Sequence, residues 1–197
     1  MKKILSEFIG TLILSLVVFL SLTQQFFIPT PILAALVLTL FVFTIGGISG
    51  CHLNPAVTIG LWSLKKIDRL SAIKYIIGQL LAGLLIFLIH KKLNLPFPAG
   101  SEIFITELLF ELLGMIIFTF GIAAVVYKSV PDEISGFVVG GSLLLGITLS
   151  ALGGGAGILN PAVGVGLGVS HIEYYAVEIV GSILGFQLYK YLQTNKK

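Results

Sequence analysis

Charge is what this 197-residue chain has least of: Asp, Glu, Lys and Arg together make up 11% of it, against 56% hydrophobic residues and a mean hydropathy of +1.06. A soluble domain normally carries about 25% charged residues, so a water-facing surface is excluded and a bilayer is the expected solvent. Cysteine is nearly absent as well. Cys51 stands alone, which excludes an internal disulfide and leaves the redox compartment open. No His, Cys or carboxylate other than Cys51 lies at ligand spacing from His52, so no metal site is expected, and nothing in the sequence calls for a cofactor or for nucleic acid. His90 and His171 fall at the ends of apolar runs and read as interfacial.

What the chain has in quantity is apolar length. The runs Ile4–Leu22, Ile32–Gly46, Ala72–Ile89, Ile103–Val126, Gly136–Leu152 and Tyr174–Tyr189 each approach the length that crosses a hydrocarbon core of roughly 30 Å. Six spans place both termini on one side. With that side cytoplasmic, Lys2, Lys3, Lys65, Lys66, Arg69, Lys74, Lys128, Lys190, Lys196 and Lys197 lie inside, and only Lys91 and Lys92 lie outside, as the positive-inside rule requires. The net charge of +3 therefore reflects topology. A cleaved leader is disfavoured, because Glu7 interrupts the first run and no small-residue cleavage site follows it.

Prolines mark where helices stop. Pro29 and Pro31, Pro96 and Pro98, and Pro131 fall in connections. The other two sit in a repeated tripeptide, Asn54-Pro55-Ala56 and Asn160-Pro161-Ala162, whose asparagines are 106 positions apart. Each copy follows a glycine-rich run, Gly46 to Gly50 and Gly153 to Gly157. Each precedes a stretch, Pro55–Trp62 or Pro161–Gly168, that reaches roughly 12 Å if helical, less than half the core. Asn is a favoured N-cap and Pro fits the first helical position, so each tripeptide is expected to start a half-helix at mid-membrane. Three spans per repeat invert the second copy relative to the first, which points the two half-helix starts at each other. Their partial positive charges then oppose cations and protons. The two Asn amides can donate hydrogen bonds to a passing molecule, and the glycine-rich approaches can present backbone carbonyls to a lumen.

The residues Ile48-Ser49-Gly50-Cys51-His52-Leu53-Asn54-Pro55-Ala56-Val57-Thr58, together with Ser6-Glu7-Phe8-Ile9-Gly10-Thr11, Tyr75 to Gly83 and Val180 to Gly185, resemble the signatures of the aquaporin and aquaglyceroporin family, the major intrinsic proteins. The likeness spans nearly the whole chain. It implies an all-helical membrane channel with six transmembrane helices and two re-entrant half-helices, a single domain over 1–197 with inverted repeats at approximately 1–92 and 101–193. It further implies a passive, non-enzymatic pore for water and small neutral solutes, without cofactor, assembled as a homotetramer in the cell membrane with both termini cytoplasmic. An inverted-repeat secondary transporter and a non-conducting scaffold are the other classes compatible with this plan.

By the same resemblance, Glu7 and Glu111, 47 and 49 residues before their asparagines, are expected to hold the half-helix loops by accepting backbone hydrogen bonds. Glu107 is the rival to Glu111, and a proton relay is the alternative role for these carboxyls. His52 is expected to brace its loop, and Cys51 to lie near the inner mouth of the pore. Glu178 falls where the resemblance implies an uncharged residue, and the sequence offers no account of it. The family's outer constriction usually holds an Arg three residues after the second Asn; here that position is Val163. An ungapped count assigns the remaining constriction positions to Ala34, Thr148 and Gly157. Such a mouth is wide and weakly polar, suited to glycerol, urea, ammonia or dissolved gas at least as well as to water.

Overall fold

The computed structural model describes residues 1–24, 27–93 and 104–194. Pro96, Pro98, Lys196 and Lys197, and Ile103 at the start of one expected span, lie outside the described residues. Six long helices carry the architecture: α1 (Lys2–Thr23), α2 (Thr30–Ser49), α4 (Arg69–Leu93), α5 (Ile105–Val126), α6 (Ser135–Leu152) and α8 (Ile172–Thr194), with the half-helices α3 (Pro55–Ser63) and α7 (Pro161–Gly166) between them. Five of the long helices are both long and apolar enough to cross a membrane. The last, α8, is 23 residues long, but Glu173, Glu178 and Lys190 dilute its apolarity.

Local chemistry explains the helix ends. Pro29 and Pro31 flank the start of α2, where a missing N–H costs nothing. Gly50, at φ +93°, closes α2 in the left-handed region and donates its N–H to Gly46 O. A short 3-10 turn, Asp132–Ile134, leads from Pro131 into α6.

The two halves repeat the same contacts. α1 packs on α2 and α4, and α5 packs correspondingly on α6 and α8. The half-helices are exchanged, since α3 packs on α8 of the second half and α7 on α4 of the first. Each repeat therefore completes the other's core. Close approach is built from small residues, as is usual between membrane helices: a Cβ added to Gly114 on α5 would come within 2.5 Å of the Gly146 carbonyl oxygen on α6. His90, expected at an interface, is instead fully buried at the end of α4, its ring centroid 4.7 Å from that of Phe19.

Candidate functional site: two opposed half-helix starts

Each half-helix begins as the Asn-Pro-Ala sequence dictates. Asn54 Oδ1 accepts from the N–H groups of Ala56 and Val57, at 2.9 and 3.3 Å. Asn160 Oδ1 accepts from Ala162 N–H at 3.0 Å. The residues before them share a backbone that L side chains rarely adopt, with φ of +47° at Leu53 and +48° at Leu159, and +52° at Cys51 and +64° at Gly157. Such conformations persist only where the surroundings enforce them.

Two buried glutamates supply that constraint. Glu7 on α1 accepts from Ser49 Oγ at 2.6 Å, His52 N–H at 3.0 Å, Leu53 N–H at 2.7 Å and the Gln79 amide at 2.8 Å. Glu111 on α5 accepts from Ser150 Oγ at 2.5 Å, Gly157 N–H at 2.9 Å and Leu159 N–H at 2.7 Å. Both carboxyls are fully buried, and such groups persist in a membrane only when multiply bonded. Three residues on, Gly10 and Gly114 leave space that the side chains of Leu53 and Leu159 fill. The spacing Glu-x-x-Gly thus holds a loop leucine by its N–H and receives its side chain one helical turn away. Glu107 does not reach the loop N–H groups that Glu111 serves, and accepts from the Tyr174 hydroxyl at 3.0 Å.

At the centre the halves are cross-linked. Asn54 Nδ2 donates to Leu159 O at 2.7 Å and Asn160 Nδ2 donates to Leu53 O at 2.9 Å. Each amide has two N–H groups, so one remains on each side chain. His52 Nδ1 is 3.1 Å from Thr58 Oγ1, and its ring stands edge-on to Tyr75. Tyr75 in turn donates to Ser49 O at 2.9 Å.

Two cavities of about 240 Å³ each meet this centre and share Leu38, His52 and Phe118 as lining. One is lined by Ala34, Ile147, Gly157, Val163, Asn54 and Asn160 among others. The other opens toward the side of the chain termini and is lined by Cys51, Val57 and Lys66, the Lys66 Nζ lying 4.5 Å from the Tyr127 ring centroid. Thr148 requires a correction. It is exposed, bonds Leu144 O of its own helix at 2.7 Å and does not line the cavity. Its neighbour Ile147 lines the cavity instead, against Gly157. The ungapped count is off by one residue here, and one residue of slip turns a helix position by about 100°.

Several participants carried no sequence assignment. Ser49, Gln79 and Ser150 complete the glutamate networks; a polar side chain inside an apolar span was the available signal. Glu178 is fully buried and its Oε1 accepts the Asn160 backbone N–H at 3.0 Å. No metal-holding cluster occurs among the described residues.

Membrane-length helices in two inverted halves, closing around a pair of opposed half-helices, define a polytopic membrane protein of the re-entrant inverted-repeat class. The chain matches the major intrinsic protein family over residues 1–189 and belongs to it. It is 34% identical to aquaporin AqpM of Methanothermobacter marburgensis over 180 residues, covering 77% of this chain and 71% of that protein. It is 29% identical to nodulin-26 of Glycine max over 219 residues, covering 100% of this chain and 80% of that protein. Among solved structures, the aquaglyceroporin from Plasmodium falciparum superposes with a TM-score of 0.64 at 19% identity, over 99% of this chain and 96% of that one, a likeness of fold.

Proposed function

We propose that the chain is a passive transmembrane channel for water and small uncharged solutes, a single pore-forming domain over residues 1–197. The observation that carries this reading is the reciprocal bonding of Asn54 and Asn160 at the junction of two cavities. Two half-helix starts, each carrying roughly half a positive charge, converge there. A cation that enters loses hydration and meets repulsion, whereas a neutral molecule meets two amide donors.

In this reading Asn54, Pro55, Ala56, Asn160, Pro161 and Ala162 form the central barrier. Glu7 and Glu111 are loop supports rather than proton carriers, since their oxygens are occupied by fixed donors. His52 braces the first loop through Thr58, and Cys51 lines the terminus-side cavity. Ala34, Ile147, Gly157 and Val163 form a constriction with no fixed cation, so ion exclusion falls on the centre alone. Membership of the family supports a homotetramer in the cell membrane, and the distribution of Lys and Arg supports cytoplasmic termini. In this reading the channel is passive and non-enzymatic.

Light scattering of proteoliposomes under gradients of water, glycerol and urea tests the reading. A channel gives protein-dependent, non-saturating flux that is indifferent to ion gradients. Saturable, ion-coupled uptake would instead indicate a transporter, and absence of all flux a scaffold.

A further inference from the structure

Among the described residues, Lys, Arg, Asp and Glu line the two cavities at one point. The constriction-side cavity has none of them, and the terminus-side cavity has Lys66. The end of α3 fixes Lys66 in place. Lys65 N–H donates to Trp62 O at 2.8 Å and Lys66 N–H to Leu61 O at 3.0 Å, with Lys65 at φ +59°, the paired bonds by which a left-handed residue closes a helix. The side chain then reaches the end of α5, where Nζ lies 4.5 Å from the Tyr127 ring centroid.

No carboxylate of the described residues answers this charge. The one ion pair among them is Lys128–Asp132, and Asp68, two positions after Lys66, instead accepts from Ser71 N–H at 2.9 Å at the start of α4. The contact with Tyr127 holds the ammonium at the rim of the cavity and leaves it without an anionic partner.

Behind the ammonium the wall is hydrocarbon. Val42, Leu61, Ile122, Val125, Val126 and Val139, from four helices, line a cavity of about 240 Å³. A water's share of liquid volume is about 30 Å³, so the space suits a chain of a few carbons. A neutral polar solute gains nothing from such a wall, and an inorganic anion gains only from the rim. An anion with a short apolar tail gains from both. Its orientation follows from cost: a carboxylate taken from water without full pairing is expensive, so the head stays at the exposed Lys66 and the tail points inward toward His52, where the two cavities meet.

We propose that the terminus-side cavity binds small amphipathic monocarboxylates, with the carboxylate on Lys66 Nζ and a short alkyl tail on the apolar wall, and that the occupant blocks the pore. The binding site goes beyond the channel reading, and only the block rests on it.

The test reconstitutes the full chain in zwitterionic lipid, with butyrate, pentanoate or hexanoate at equal concentration on both faces and mildly alkaline pH, where each is ionised. Water flux is followed by light scattering, relative to the same protein's flux without carboxylate and corrected for protein-free vesicles. Binding is read separately by ligand-observed NMR on the full chain in detergent. Potency in both readouts is expected to rise about threefold for each added CH₂. It is expected to fall about fivefold in Lys66→Gln and to recover in Lys66→Arg. Hexanamide, which has the same tail and no charge, is expected to be weaker than hexanoate and indifferent to Lys66→Gln. Equal potency of hexanoate on parent and Lys66→Gln, or of hexanoate and hexanamide on the parent, would overturn the site. Potency independent of tail length would overturn it as well. Hexanoate that binds as expected while water flux continues would overturn the block. The expected binding in a protein that conducts nothing would uphold the site and overturn the channel reading.

Discussion

Asn54 and Asn160, 106 residues apart in sequence, each donate to the carbonyl that precedes the other, at 2.7 and 2.9 Å. The two half-helix starts are therefore one unit, in which each asparagine caps its own helix with its oxygen and ties down the opposite loop with its nitrogen. Displacing one should disturb both.

Cys51 lines the terminus-side cavity three residues before Asn54, with a left-handed backbone at φ +52° that fixes its direction. Reaction with a bulky thiol reagent is expected to reduce flux, while a Cys51→Ser variant resists. Full labelling confirmed by mass, with flux unchanged, would remove Cys51 from the conducting path.

In the proposed reading, Val163 leaves the constriction without a cation. Val163→Arg adds bulk and five donors beside Ala34, Ile147 and Gly157. The ratio of glycerol to water permeability is expected to fall, because bulk penalises the larger solute while the donors serve water. An unchanged ratio in an inserted variant would mean that Val163 does not set selectivity.

Glu178 ties α8 to the second motif through the Asn160 N–H. Glu178→Leu strands that buried donor, at a cost of about 1–3 kcal/mol, and is expected to lower the thermal midpoint in detergent. Glu178→Gln keeps an acceptor and is expected to retain most of the stability. Equal midpoints for the Leu variant and the parent would show that the bond contributes nothing.

Much of this was legible because membrane solvation leaves few options. Apolar length marked the spans and Asn-Pro-Ala marked both half-helices, since a capping residue followed by Pro has one helical interpretation. The sixth, Tyr174–Tyr189, was legible in the same way although Glu178 dilutes its apolarity. The side facing the cavity on α6 was not legible: Thr148 and Ile147 differ by one position, and a count along the sequence does not fix how the helix is turned about its axis. Partners such as Gln79 and Ser150 escaped assignment because their roles depend on a glutamate on another helix, a relation that no local pattern carries.

The central claim is that the half-helix starts at Asn54 and Asn160 exclude ions from a pore that passes neutral solutes. Proton and cation leak in proteoliposomes of Asn54→Asp and Asn160→Asp, measured beside solute flux in the same vesicles, tests it most directly. Aspartate retains the capping oxygen but places a negative charge where two helix starts make a positive one. The account predicts leak well above that of the parent in either variant. Variants that conduct solute and still exclude ions as well as the parent would contradict it.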